Sequence, residues 1–200
     1  MVGFPLWDEA DQSELPPEAE RFLDAGPPPV VFTPGSANSH AREFFAAAVQ
    51  ACAALGRRGI LLTKYPEQLP AGLPAEVRHF PFVPLSRLLP RSSAFVHHGG
   101  IGSSSQGLAA GVPQLVMPMA FDQPDNAERL ERLGVAEVLP PRRFRAAAVA
   151  AALERLTSDS TVAGRCRRLA DQCDGTAALA AAADLLERIA APQPVASVSS

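Results

Sequence analysis

Cysteine is scarce in this chain. Cys52, Cys166 and Cys173 make an odd count, and their spacing matches neither a zinc site nor a redox pair. Cys166 and Cys173 are predicted to lie two turns apart on one helix, roughly 10 Å, too far to bridge. A disulfide framework is therefore excluded, and a reduced, cytoplasmic protein is expected. Long apolar runs are missing too. None approaches the ~20 residues of a membrane span, and the N-terminal residues are too acidic and proline-rich for a signal peptide. Charge of one sign is also lacking. The net charge is −3 and the pI is near 5.8, so no global field invites nucleic acid or an anionic membrane. Arg142, Arg143 and Arg145 form a tight basic cluster, and a solvated loop accounts for them.

Apolar residues make up 47% of the 200, enough for one domain with tails. Residues 1–29 read as an interdomain linker. Asp8, Glu9, Asp11, Glu14, Glu18 and Glu20 make the stretch acidic, and Pro16-Pro17 and Pro27-Pro28-Pro29 punctuate it. Within it, residues 17–23 are predicted to form one short helix. A linker joins two things, so the chain reads as part of a larger protein. Residues 30–191 read as the structured domain and residues 192–200 as a flexible tail.

Strands are predicted at Val30-Val31-Phe32-Thr33, residues 59–63, Val77-Arg78-His79-Phe80, Ser93-Ala94-Phe95-Val96, residues 114–118 and residues 134–138. Helices are predicted from His40 to Leu55, closed by Gly56; for one turn at 85–89; from Gln106 to Ala110, stopped by Gly111; from the 121–124 loop to Leu133; and through 144–191. Strands apolar throughout, alternating with amphipathic helices, indicate an α/β fold. It is Rossmann-like, a parallel sheet with helices on both faces. Ligands bind such sheets at the carboxyl ends of the strands. Three loops there carry chemistry: Gly35-Ser36, the stretch from His97 to Gln106, and Asp122-Gln123.

The middle loop reads His97-His98-Gly99-Gly100-Ile101-Gly102-Ser103-Ser104-Ser105-Gln106. Glycines let a ligand approach the backbone. Serines at a helix start stand beside free N–H groups, where the helix dipole favours an anion. An ordinary capped turn explains one Ser and one Gly, not this run. No Gly-Lys-Ser/Thr is present, and Gly100, Gly102 and Gly107 miss the dinucleotide spacing. A phosphate must then be held by His98, the serines and the helix end.

The order Val96-His97-His98-Gly99-Gly100-Ile101-Gly102-Ser103, Ala110-Gly111-Val112-Pro113-Gln114, Met117-Pro118, Asp122-Gln123-Pro124 resembles the C-terminal, nucleotide-sugar-binding domain of the two-domain (GT-B) UDP-glycosyltransferases, glycosyltransferase family 1. The likeness covers about residues 30–190 and is greatest to bacterial antibiotic- and sterol-modifying members. It implies one half of a GT-B fold. It also implies roles. His98, Gly102, Ser103, Ser104 and Ser36 would bind the diphosphate. Phe82 and Val83 would meet the nucleoside, with Phe82 stacking on the base. Gln106 would reach the ribose, where many members have a Glu and its charge-assisted bond. Asp122 and Gln123 would hold donor-sugar hydroxyls; a plain helix cap is the other use for Asp122. His97, His40 and His79 are expected to be structural.

The implied enzyme is a UDP-glycosyltransferase (a hexosyltransferase). It would move a hexosyl group from a UDP-sugar, or a dTDP-sugar, to an acceptor hydroxyl. No cofactor and no metal are expected, since the nucleotide sugar is a substrate. The implied partners are UDP or a UDP-sugar, an N-terminal acceptor-binding domain and a small lipophilic or sugar acceptor. That other domain would carry the general base, so no catalytic residue is assigned here and little activity is expected of the chain alone. Two other readings stay open: a non-catalytic nucleotide-sugar-binding module or subunit of a two-chain transferase, and part of a nucleotide-sugar 2-epimerase.

Overall fold

The structure, a computed structural model, describes residues 4, 6–8, 14–35 and 41–190. In chain order the elements are α1 (Pro17–Asp24), β1 (Val30–Thr33), α2 (Arg42–Leu55), β2 (Gly59–Leu62), β3 (Val77–Phe80), α3 (Leu85–Leu88), β4 (Ala94–His97), α4 (Ile101–Ala109), β5 (Gln114–Val116), α5 (Gln123–Arg132), β6 (Ala136–Val138), α6 (Ala146–Ser158), α7 (Ser160–Ala170) and α8 (Gly175–Ala190). Asp8–Cys173 forms one unit; Met1–Trp7 and Asp174–Ser200 form the other. The smaller unit holds α8, whose first residue, Gly175, lies against Leu6 so closely that a Cβ would stand 2.7 Å from the Leu6 Cβ.

All six strands are parallel, in the order β3-β2-β1-β4-β5-β6. This is the doubly wound arrangement expected from strands that are apolar on both faces. β1 and β4 pair in register, Val31 beside Phe95 and Thr33 beside His97. The chain reverses its winding direction between them, which opens a crevice at their carboxyl ends.

Alternation along each strand feeds two cores. Val30, Phe32, Leu61, Val96 and Leu115 pack with Phe44, Phe45 and Cys52 of α2 and with Val149 and Leu153 of α6. Phe44 lies between Phe32 and Phe144, edge-on to the first at 6.4 Å and stacked on the second at 4.9 Å. On the other face, Val31, Ile60, Leu62, Phe80 and Phe95 pack with Ala19, Phe22 and Leu23 of α1 and with Leu88. A helix from the stretch read as a linker is thus built into the sheet's cover. Arg58 lies over the Phe22 ring at 3.9 Å, and Arg91 pairs with Glu20 and Asp24. Val116, Ala127, Leu130 and Cys166 make a third cluster under α5 and α7.

The strands lie where the pattern puts them, with ends moved by a residue or two. The middle helix does not. It begins at Ile101 instead of Gln106, so Ser103, Ser104 and Ser105 belong to its first turns. Gly and Ser are poor helix formers in isolation, which is why the sequence suggests a loop; burial of Ser104 to Gly107 against the domain overrides that preference. The helix predicted from His40 is seen from Arg42, and residues 36–40 lie outside the described residues. The long helical tract after residue 144 is three helices, and Cys173 lies beyond the end of α7 instead of on the helix of Cys166. All three cysteines are free. Arg142, Arg143 and Arg145 are exposed, as read. Among the described residues no helix is long and apolar enough to cross a membrane.

Candidate functional site

At the end of β4, two adjacent histidines are used in opposite ways. His97 is fully buried. Its Nδ1 accepts from the Gly99 N–H at 3.0 Å, so its Nε2 carries the proton and donates to Gln114 Oε1 at 2.8 Å. Its ring stacks on Phe95 at 4.6 Å. Burial pushes its pKa down to about 3, against the bond to Gln114, and it stays neutral. Gln114 itself is held by a glycine: a Cβ at Gly107 would stand 2.5 Å from the Gln114 side chain. Without Gly107, α4 could not ride so close to β5.

His98 faces the other way and is part-exposed. Glycines crowd its ring. A Cβ at Gly35 would come within 2.9 Å of it and one at Gly100 within 2.5 Å. Gly35 adopts φ +95°, a conformation that suits glycine. Burial lowers the pKa of His98, and the nearby Asp122 carboxylate partly opposes that. Nδ1 of His98 is buried and makes no hydrogen bond, so this imidazole has polar capacity that the fold leaves unused.

Beyond His98 the chain turns through Gly99, at φ +87°. A Cβ there would strike Val116 at 2.9 Å and the Gln123 carbonyl oxygen at 3.1 Å. α4 then starts at Ile101 with no side chain capping it. Ser104 N is the first to bond back, to the Gly100 carbonyl at 3.0 Å. The N–H groups of Ile101, Gly102 and Ser103 have no intrahelical partner, and they carry the positive end of the helix dipole.

The β5–α5 corner supplies side chains. Asp122 occupies the helix N-cap position but makes no capping bond, so the plain-cap use of this residue is not what the structure shows. Its carboxylate accepts from Asn126 Nδ2 at 2.7 Å, and the same amide donates to the Gly99 carbonyl at 2.9 Å. Asn126 thus ties the two corners together. Gln123 Oε1 accepts from the Met119 and Ala120 N–H groups at 2.8 and 3.2 Å, which shapes the loop before α5. In that loop Phe121 has φ +60° and is 94% exposed.

These loops surround one cleft of about 820 Å³ at the carboxyl ends of the strands. Gly35, His98 and Ser103 line it on one side; Phe82, Val83 and Leu85 line it beyond β3; Met119, Ala120, Phe121 and Gln123 close it from β5. Thr63 and Lys64, after β2, complete the wall. Of the predicted residues, His98, Ser103, Phe82, Val83 and Gln123 therefore meet at one cavity. Phe82 is half-exposed, whereas Val83 contributes from an almost fully buried position. Gly102, Ser104, Gln106 and Asp122 do not line it. Ser104 and Gln106 are buried on α4, and the Ser104 hydroxyl makes no hydrogen bond. Ser36 lies outside the described residues, as does His40. His79 bonds the Thr63 carbonyl at 2.7 Å across β2 and β3. Among the described residues no group of three His, Cys, Asp or Glu side chains could hold a metal ion.

Sequence reasoning missed Gln114, Asn126 and Lys64. Gln114 had a signal, a polar residue opening an apolar strand. Asn126 had a weaker one, one helical turn beyond Asp122. Lys64 had none, since nothing local marks a strand end that enters a cleft.

Comparison with known proteins places these features in context. Residues 59–189 match the model of the Erythromycin biosynthesis protein CIII-like, C-terminal domain. The O-mycaminosyltylonolide 6-deoxyallosyltransferase of Streptomyces fradiae is 37% identical over 173 residues, 86% of this chain and 40% of that protein. The vancomycin aglycone glucosyltransferase of Amycolatopsis orientalis is 37% identical over 129 residues, 64% of this chain and 31% of that protein. Among solved structures, the glycotransferase of kitacinnamycin superimposes with a TM-score of 0.72 at 32% identity, covering 94% of this chain and 48% of its own. The chain spans less than half the length of each of these relatives. A UDP-glucose: anthocyanidin 3-O-glucosyltransferase shares the fold, with a TM-score of 0.76 at 18% identity.

Proposed function

The chain belongs to the Erythromycin biosynthesis protein CIII-like C-terminal domain family, the C-terminal domain of GT-B glycosyltransferases, and from that premise we propose that it is the donor-binding half of a UDP-glycosyltransferase. The enzyme would transfer a hexosyl group to an acceptor hydroxyl. The observation that carries this reading is the convergence of His98, Ser103, Phe82, Val83 and Gln123 on one cleft beside an uncapped helix start.

In this reading the diphosphate sits against the N-terminus of α4. The free N–H groups of Ile101, Gly102 and Ser103 donate to its oxygens, and so do the Ser103 hydroxyl and the His98 imidazole. Gly102 acts through its backbone, so it need not present a side chain to the cleft. As the bond from the anomeric carbon to the diphosphate breaks, negative charge grows on the leaving oxygen, and preorganised donors favour that charge. The nucleoside lies toward Phe82 and Val83 and the sugar toward Gln123 and Asp122. The Gln123 carbonyl oxygen is already engaged by the loop, which leaves its amide nitrogen to donate to a sugar hydroxyl. The donors named here bind the diphosphate without a metal. The general base and the acceptor pocket lie in the remaining half of the protein, in the cytoplasm. The transferase names of the relatives favour transfer over epimerisation.

Titration of the chain with UDP tests this. We expect weak, saturable binding, and stabilisation by about 2.7 kcal/mol at a hundredfold excess over Kd. No heat, no saturation and no rise in Tm would remove the proposal. We also expect this chain by itself to transfer little sugar to a small acceptor.

A further inference from the structure

Lys64 is the only lysine in the sequence; the rest of its 18 Lys and Arg residues are arginine. It follows β2 at the rim of the cleft, where it is exposed and lines the wall. Among the described residues no Asp or Glu lines that cleft, the Asp122 carboxylate near His98 lying outside its lining, and no ion pair includes Lys64. Its Nζ lies 5.2 Å from the centre of the Tyr65 ring. An ammonium with no ion-pair partner among the described residues is a charge available to a ligand.

Among the described residues, the opposite side of the cleft carries no Lys or Arg. His98 is held below its usual pKa by burial. The helix start offers N–H groups and a partial charge only. A nucleoside diphosphate brings at least two negative charges, and the chain as a whole is itself negative at −3. β1 lies between β2 and β4, so the ends of β2 and β4 are two strand spacings apart, about 10 Å. A lysine side chain and a diphosphate together bridge that distance. We propose that Lys64 is a further binding residue for the donor's diphosphate. It places the one Lys or Arg among the cleft's described residues across from the α4 N-terminus. This inference rests on the nucleotide-sugar reading of the same site.

The test is UDP affinity by titration calorimetry for the wild type, Lys64→Met, Lys64→Arg and His98→Ala, at low and high salt. Lys64→Met should bind UDP about five- to tenfold more weakly at low salt, with an unchanged Tm because the side chain is exposed. Lys64→Arg should stay within about twofold, since it keeps the charge. The gap between wild type and Lys64→Met should shrink as salt screens the pair. If Lys64→Met binds like the wild type at low salt, if Lys64→Arg loses as much as Lys64→Met, or if the loss ignores salt, the proposal is overturned. Loss in His98→Ala without loss in Lys64→Met would sink this inference alone. Failure of the wild type to bind UDP would sink the site reading, and this inference with it.

Discussion

Two neighbouring corners of the sheet, β4 to α4 and β5 to α5, share a plan and differ in what they present. Each is a strand, a residue at positive φ and a helix start without a side-chain cap. At the first corner the positive-φ residue is Gly99, packed against Val116 and the Gln123 backbone. At the second it is Phe121, almost fully exposed. The first corner is drawn tight, and it lines the cleft with one imidazole and Ser103. The second is open and shows side chains. On the donor reading proposed above, the tight glycine corner would suit the charged group common to every donor, and the open corner could vary with the sugar. The fold also separates rigidity from access: His97 holds the corner together from inside, and His98, one residue on, faces the cleft.

The largest expected effect probes the rigid side. The unfolded chain gives His97 an ordinary pKa near 6.5, and the folded state lowers it to about 3. A histidine with a depressed folded pKa leaves the unfolded state binding more protons between those values. Stability is then full above about pH 6.5 and falls as the pH drops toward 3, by up to about 1.4 kcal/mol per pH unit from this one group. Burial lowers the pKa of His98 in the same sense. Urea midpoints at pH 7 and pH 5 should therefore differ widely in the wild type and much less in His97→Gln. An undiminished pH slope in that variant would show that His97 is not the buried neutral group described.

Next comes the glycine at the same corner. Gly99→Ala forces a Cβ into Val116 at 2.9 Å at a positive φ, and should lower stability by about 1–2 kcal/mol. Denaturant unfolding measures it. A loss below 1 kcal/mol, within the range of surface substitutions, would mean the corner is as yielding as the other one.

The open corner should answer to the ligand instead of to stability. If Asp122 meets a sugar hydroxyl, Asp122→Ala should weaken UDP-sugar binding about tenfold and leave UDP nearly unmoved. The bond from Asn126 is exposed, so the Tm should fall only slightly. Equal weakening of both ligands would withdraw the sugar role.

The smallest effect is at Phe121. Relief of its positive φ in Phe121→Gly should raise stability by about 0.5 kcal/mol, after the added freedom of glycine in the unfolded chain is subtracted. A loss of more than about 1 kcal/mol would show that the ring is packed and that the two corners are less different than they look.

The contrast also explains what the sequence could reveal. The sheet was legible because buried parallel strands leave continuous apolar runs, as in Val30-Val31-Phe32 and Gly59-Ile60-Leu61-Leu62. Its carboxyl edge then located the cleft. Which loop residues enter that cleft was only partly legible. His98, Ser103, Phe82, Val83 and Gln123 line it as a set. Gln106 and Ser104, on the same helix, are turned into the domain, because α4 begins five residues before its composition suggests and the earlier start changes which face each residue occupies. The support of His97 by Gln114, and of the whole corner by Asn126, joins residues 17 and 27 positions apart; local pattern does not carry such pairs. Lys64 enters the cleft for a purely topological reason, since β2 lies next to β1.

The central claim is that the β4–α4 corner holds a diphosphate through His98 while His97 only supports it. Calorimetric titration of UDP into His98→Ala and His97→Gln, each with its Tm, tests this most directly. The account predicts that His98→Ala binds UDP about tenfold more weakly at a nearly unchanged Tm. It predicts that His97→Gln, where it remains folded, loses stability and keeps most of its affinity. Wild-type affinity in His98→Ala, or equal loss of affinity in both at unchanged Tm, would contradict it.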